Sequence, residues 1–395
     1  MEFLIRELKE LEKNGLFRQL NRIVDSSSDT WITIEDRRVL NLCSNNYLGL
    51  ANDIRLKDAA IEAIKKYGVG SGASRLVSGD NLLHHKLEEN LAKFKNTEKC
   101  IVFNSGYAAN LGLISSLVSR QDIVFCDKLN HASIIDGAIL SRAELRRYPH
   151  NDITTLNRLI KKFQDYKKKL IVTDSVFSMD GDIAPLEELI ELAQKYNCML
   201  MLDEAHATGV LGSKGRGALE FLGLEKRLEN KNNFIIQMGT LSKAFGSFGA
   251  YVCGSKDLID YLINHSRPFI YSTSLPPAIS AASIKALEIV ENGSALRQQL
   301  MDNVSFFKKR LLSLGFNLGC SQTQIIPLIT KDPILTMEFS KRLFEDGIFV
   351  QGIRPPTVPV GQARLRITIM ATHRQQDLEF ALQRFEKIGR ELCLI

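Results

Sequence analysis

The chain has 395 residues, more than one small core accommodates, and 45% of them are hydrophobic against 24% charged, the balance of an ordinary globular protein. Its formal charge of +6 is spread along the sequence with no basic run interleaved with aromatics, which excludes a nucleic-acid-binding class and leaves room for an anionic ligand. No apolar segment reaches bilayer-spanning length, and seven widely spaced cysteines without a C-x-x-C read as free thiols in a reducing compartment, so a cytoplasmic protein off the membrane is expected.

Phe3, Leu4, Leu8 and Leu11 recur near helical spacing and predict a short amphipathic helix over residues 2–13. Trp31–Ile34 and Val39–Leu42 flank a polar turn and predict a hairpin. Ser44-Asn45-Asn46-Tyr47-Leu48-Gly49 reads as a polar loop, and residues 53–66 as a helix ending at Gly68. The run Gly68-Val69-Gly70-Ser71-Gly72-Ala73-Ser74-Arg75 has the look of a dinucleotide loop, but it follows a helix where a Rossmann loop must follow a strand. A nicotinamide fold is therefore excluded, and the glycines let backbone pass close to a ligand or a subunit neighbour. The pair His84-His85 reads as a solvated helix face without metal spacing.

From residue 100 strands and helices alternate. Cys100–Phe103, Ile123–Cys126, Leu170–Thr173, Cys198–Leu202 and Phe234–Met238 are apolar runs without alternation, the mark of strands buried on both faces of a mostly parallel sheet. Helices are predicted at 107–118, 152–165 and 185–196. Ligands in such sheets bind beyond the strands' carboxyl ends, so the residues just after each strand carry the information. They are Asn104-Ser105-Gly106-Tyr107, then Asp127 to Ser133 with His131, then Asp174 and the stretch Ser178 to Asp182, then Asp203-Glu204-Ala205-His206, and last Thr240-Leu241-Ser242-Lys243. A helix opening on glycine can hold a phosphate. An aspartate at a strand end can keep a pyridine nitrogen protonated, and a desolvated lysine can attack an aldehyde. Asp203-Glu204-Ala205-His206 also spells the magnesium tetrad of one helicase class, but the G-x-x-x-x-G-K-[ST] loop such an ATPase needs is absent.

Residues 256–292 read as helical, interrupted by the Arg267–Pro277 stretch, and 294–313 as a further helix. Strands at Ile325–Ile329, Ile348–Ile353 and Leu365–Ile369, with helices near 334–345 and 374–388, predict a small α+β unit. The expected organisation is an N-terminal helix and hairpin arm over 1–50, a large α/β domain over 51–285 and a small C-terminal domain over 286–395.

Seven stretches fall in the order and spacing of one family: Ser44–Leu50, Gly70–Gly72, Ser105–Asn110, His131–Ser133, Val176–Asp182, Asp203–His206 and Thr240–Lys243. On these the chain resembles the α-oxoamine synthases, fold-type-I pyridoxal-phosphate-dependent enzymes, nearly end to end. The resemblance implies an α/β transferase fold and a homodimer with shared active sites. It implies that Lys243 carries the cofactor, that Asp203 pairs with its ring nitrogen and that His131 stacks on the ring. By the same resemblance His206 contacts the cofactor's phenolic oxygen, and Gly106, Tyr107, Ser178 and Thr240 complete its site, though many members have Phe where Tyr107 stands. Ser274 or Thr273 is implied to reach the partner subunit's phosphate. Arg366 is implied to hold an amino-acid carboxylate, with Asn45 near that carboxylate or the cofactor, and Arg18 and Thr357 to contact the acyl substrate.

Ile353-Arg354-Pro355-Pro356-Thr357-Val358-Pro359 followed by Ala363-Arg364-Leu365-Arg366 is most similar to the members that join L-alanine to a pimeloyl thioester, carried on coenzyme A or on an acyl carrier protein. Members that join glycine to acetyl-CoA, or that transfer a longer acyl chain, are the alternatives within the family, and a non-catalytic binding protein of the same fold is the alternative outside it. Arg142, Arg146, Arg147 and Lys167–Lys169 read as plain surface, with an acidic acyl carrier as the other reading.

Overall fold

The computed structural model describes residues 1–13, 16–18, 20, 23–26, 28–228 and 234–395. The helix Glu2–Lys13 forms and buries none of its residues. Trp31–Ile34 (β1) and Arg37–Asn41 (β2) make the predicted antiparallel hairpin, with Trp31 opposite Leu40. Its turn residues Glu35 and Asp36 both take positive φ, the backbone whose twist suits a two-residue hairpin loop.

Lys99–Phe103 (β3), Ile123–Asp127 (β4), Glu144–Tyr148 (β5), Lys169–Asp174 (β6), Met199–Asp203 (β7), Ile235–Thr240 (β8) and Ala250–Gly254 (β9) build a seven-stranded sheet. Their order is β3-β9-β8-β7-β6-β4-β5. Strand β9 alone runs against the rest, pairing antiparallel with β3 and β8, while the other neighbours pair in parallel. The mostly parallel sheet is as the apolar runs predict. In β4, Ile123 and Phe125 enter one core while Val124 and Cys126 enter the other, and in β6 Ile171 opposes Leu170 and Val172 in the same way. Helices 106–117 and 132–141 cover the second face through Leu113, Ile114 and Ala138. They cross closely, since a Cβ on Gly137 would meet the Asn110 carbonyl oxygen at 3.0 Å. Strand β5 escapes a reading by apolar runs because it is a polar edge strand, Glu-Leu-Arg-Arg-Tyr, with only Tyr148 buried.

Ile325–Lys331 (β10), Ile348–Phe349 (β11), Gln351–Ile353 (β12) and Ala363–Thr368 (β13) follow. Strands β10, β13 and β12 form an antiparallel sheet. The run 348–353, expected as one strand, breaks at Val350: β11 pairs in parallel with β2, whereas β12 pairs with β13. The Ser340 hydroxyl takes up the Val350 carbonyl at the break, 2.7 Å away. The Thr368 amide and hydroxyl donate to the Leu42 and Ser44 carbonyls, each at 2.8 Å, which stitches the Asn45 loop to the end of β13.

His84 corrects the solvated-face reading. It is fully buried at the start of helix Leu82–Phe94, where Nδ1 accepts from the Asn81 amide at 3.1 Å and Nε2 donates to the Leu275 carbonyl at 2.7 Å. His85 alone is exposed, against Asp80. Cys100, Cys126, Cys198 and Cys253 are buried free thiols, and Cys320 and Cys393 are exposed ones. Among the described residues no helix is long and apolar enough to cross a membrane.

Candidate active site

Parallel strands bring their carboxyl ends to one edge, and β6 and β7 end there in register on Asp174 and Asp203. Asp203 is 3% exposed; its Oδ2 accepts from Asn110 Nδ2 at 2.9 Å and its Oδ1 from the Ala205 amide at 2.9 Å. Burial, with the Asp203 charge beside it, pushes the Asp174 carboxyl well above the usual carboxylate range. Asp174 Oδ2 accepts from the His131 amide at 2.8 Å. His131 caps helix 132–141: its Nδ1 lies 2.8 Å from Ser133 Oγ, which also takes Asn110 Nδ2 at 2.8 Å. His131 itself is exposed.

Lys243, in the loop after β8, puts Nζ 2.9 Å from His206 Nε2. Burial lowers the Lys243 amine to about 8 against the opposing charge of Asp203, with Arg366 adding to the depression. His206 is held well below its ordinary value, chiefly by burial and then by Lys243, so its ring is neutral. Its Nδ1 lies 2.7 Å from Tyr47 Oη, and Tyr47 donates to Asn45 Oδ1 at 3.0 Å. One tautomer serves the whole chain: Nε2 accepts from Lys243 and Nδ1–H donates to Tyr47. Asn45 Oδ1 also takes both terminal nitrogens of Arg366 at 3.2 Å, and Arg366 Nε donates to the Ser178 carbonyl at 2.6 Å. Lys243, His206, Asn45, Arg366 and Ser178, scattered through the sequence, thus meet in one array. Tyr47 is the link that sequence reasoning missed. Its only signal is an aromatic inside a polar loop, and the structure buries it completely.

The remaining candidates are placed as follows. Gly106 opens helix 106–117 onto free space, since a Cβ there would meet nothing within 4 Å. Tyr107 is exposed, and its hydroxyl donates to Asp136. Thr240 Oγ1 lies 2.6 Å from Ser242 Oγ and donates to the Gly249 carbonyl at 2.9 Å. Ser274 is buried and donates to the Gly79 carbonyl at 2.6 Å, whereas Thr273 is exposed. Arg18 and Thr357 line a groove of about 750 Å³ with Phe17, Met337, Ile353 and Arg354. Glu204, central to the helicase tetrad, points away from Asp203's partners: it is fully buried, 3.6 Å from Lys95 Nζ.

Comparison with known proteins places this edge in a class. The model of aminotransferase class I and II matches residues 37–385, and the chain belongs to that family. It is 53% identical over 397 residues, covering all of both chains, to the 8-amino-7-oxononanoate synthase of Citrifermentans bemidjiense, and 52% identical to that of Geotalea daltonii, covering 99% of each. Among solved structures, a serine palmitoyltransferase from Sphingomonas wittichii aligns with a TM-score of 0.93 at 32% identity, covering 99% of this chain and 98% of that one. The 8-amino-7-oxononanoate synthase from Francisella tularensis aligns with a TM-score of 0.77 at 33% identity, covering 89% and 98%.

Proposed function

We propose that this chain is a pyridoxal-phosphate-dependent acyltransferase of biotin synthesis. It condenses L-alanine with a pimeloyl thioester and releases 8-amino-7-oxononanoate, CO2 and the free thiol. The observation that carries the reading is end-to-end identity of about half of all residues to relatives named 8-amino-7-oxononanoate synthase.

The residues present suit pyridoxal phosphate. A buried amine lowered to about 8 suits an aldehyde, Asp203 at the end of β7 suits a ring nitrogen, and the open space before Gly106 at a helix N-terminus suits a phosphate. When bound, the cofactor supplies an electron sink for the bond pairs released at the substrate Cα. Lys243 would hold it through Nζ and would take the α-proton of the amino acid and later return one. Asp203 would keep the ring nitrogen protonated, His131 would stack on the ring, and His206 would contact its phenolic oxygen. Gly106, Tyr107, Ser178 and Thr240 complete the cofactor site. Arg366, oriented by Asn45 and Ser178, supplies the fixed positive charge that binds the alanine carboxylate. The Cα–H electron pair becomes the new C–C bond at the thioester carbonyl as the C–S bond breaks. The carboxylate then leaves as CO2, and a proton returns to Cα.

Arg18 and Thr357 receive the acyl chain in their groove. The same reading carries a cytoplasmic homodimer in which Thr273 or Ser274 of one copy serves the other's phosphate; exposed Val69, Val77 and Tyr271 near these loops support it. It also carries domain boundaries at 50 and 285, supported by the containment of the seven-stranded sheet between them. The test is thiol release by the cofactor-loaded protein with L-alanine, glycine and L-serine crossed against pimeloyl-, acetyl- and palmitoyl-CoA. Turnover confined to L-alanine with pimeloyl-CoA is expected. Preference for glycine with acetyl-CoA, or L-serine with palmitoyl-CoA, overturns the substrate assignment.

A further inference from the structure

His150, just past the edge strand β5, is used by no step above, yet it sits between the two segments that carry the site. Its Nδ1 lies 3.2 Å from Asp127 Oδ1 and its Nε2 2.8 Å from Asp182 Oδ2. The ring stands edge-on to Phe177 at 4.4 Å. Asn151 repeats the connection, with its amide on Asp127 Oδ2 at 2.8 Å and its side chain on Asp182 Oδ2 at 2.9 Å. Burial works against a charge on His150, but its hydrogen bonds to the two aspartates, and their charges, outweigh it and hold the imidazole up to about 10. Both ring nitrogens are therefore donors at neutral pH.

Each aspartate organises one side of the site. Asp127 ends β4 and accepts from the Leu129 amide at 2.8 Å, shaping the turn that delivers His131. Asp182 closes the loop Val176–Ile183, whose ends pair as an isolated bridge. That loop turns on Gly181 at φ 69°, where a Cβ would strike the Ile325 carbonyl at 2.2 Å. Its Ser178 carbonyl receives Arg366 Nε at 2.6 Å, and its Asp180 receives Arg364 at 2.5 Å. The loop is anchored at its base and read out at its tip by the two arginines of β13.

We propose that His150 is a positioning residue for amino-acid binding: by clamping Asp182 to Asp127 it fixes the loop whose Ser178 carbonyl aims the Arg366 guanidinium. This rests on the reading of Arg366 as the carboxylate holder. Loosening the clamp lets the Ser178 carbonyl drift and leaves the acyl groove, built from Arg18, Ile353 and Thr357, untouched.

The experiment takes the cofactor-loaded protein and its His150→Gln and Asp182→Asn variants, well below their melting temperatures. Binding of L-alanine, glycine and L-serine is titrated by the cofactor's absorbance, and kcat and KM are measured for both substrates. Both variants are expected to weaken amino-acid binding roughly tenfold, the scale at which misplacing a substrate-holding group acts. The KM for the acyl donor is expected to stay within about twofold. Unchanged amino-acid affinity in both variants overturns the proposal, as does a parallel loss in both substrates that follows the folded fraction. A wild-type preference for glycine or L-serine removes the alanine assignment instead. The carboxylate is common to all three, so the variants' affinity for whichever amino acid binds still decides the clamp.

Discussion

Lys243 Nζ lies 2.9 Å from His206 Nε2, and a buried tyrosine, Tyr47, holds that histidine from the other side at 2.7 Å. The amine therefore faces a neutral ring, with Asp203 the main opposing charge that burial must overcome. Lys243 is charged below about pH 8 and neutral above it, where an ordinary lysine changes near 10.5. The rate at which the cofactor-free protein captures pyridoxal phosphate should climb through pH 8, followed by absorbance. A midpoint near 10 would show that the amine is not desolvated. Lys243→Ala should lose turnover by roughly a thousandfold or more, as for loss of a group that transfers protons, with an unchanged circular-dichroism spectrum.

Tyr47→Phe tests the link between the two halves of the array. The change removes one oxygen from a fully buried side chain and leaves His206 Nδ1 without its partner. The cost expected in urea unfolding is about 1–3 kcal/mol, the penalty for a stranded buried polar group. Asn45 loses its tyrosine donor as well, so the amino-acid KM should rise. A variant with wild-type stability and KM would mean that the hydroxyl carries neither load.

These two sites also show what was legible in the sequence. Buried apolar runs marked five strands, and the parallel rule then pointed to Asp203, His206 and Lys243 at one edge. Polar β5 and the two-sheet split of Ile348–Ile353 carry no such signal, because pairing with a distant partner rather than local composition makes them strands. Tyr47 and His150 were hidden for the same reason. A tyrosine or histidine in a polar loop is ordinary until the fold brings residue 206 or residue 182 against it.

Arg366→Lys separates charge from geometry. Arg366 uses Nε on the Ser178 carbonyl and both terminal nitrogens on Asn45, a planar fork that an ammonium cannot copy. Steady-state kinetics should show a rise in amino-acid KM of roughly 10–100-fold, as for loss of a charge-assisted pair worth about 1.5–3 kcal/mol. Pimeloyl-CoA KM should move little. Equal loss in both substrates would place Arg366 in the fold rather than in carboxylate binding.

The Lys95–Glu204 pair makes the last prediction, and it turns on asymmetry. Both side chains are all but fully buried, 3.6 Å apart. Lys95 also donates to the Arg216 carbonyl and Glu204 accepts from the Ala218 amide at 3.0 Å. Burial raises the Glu204 carboxyl, and Lys95 opposes that rise. A Cβ on Gly217 would overlap Glu204 Oε2, so backbone packs directly against the carboxylate. Lys95→Met should therefore cost about 3–5 kcal/mol in urea unfolding, because it strands a buried carboxylate. Adding Glu204→Leu should recover most of that loss, since an apolar pair of similar volume avoids both desolvation penalties. The double variant should keep its turnover, because Glu204 faces away from Lys243 and Asp203's partners. If the double variant were less stable than Lys95→Met, the pair would be a net stabiliser of the loop over residues 204–218, and the desolvation argument would fail.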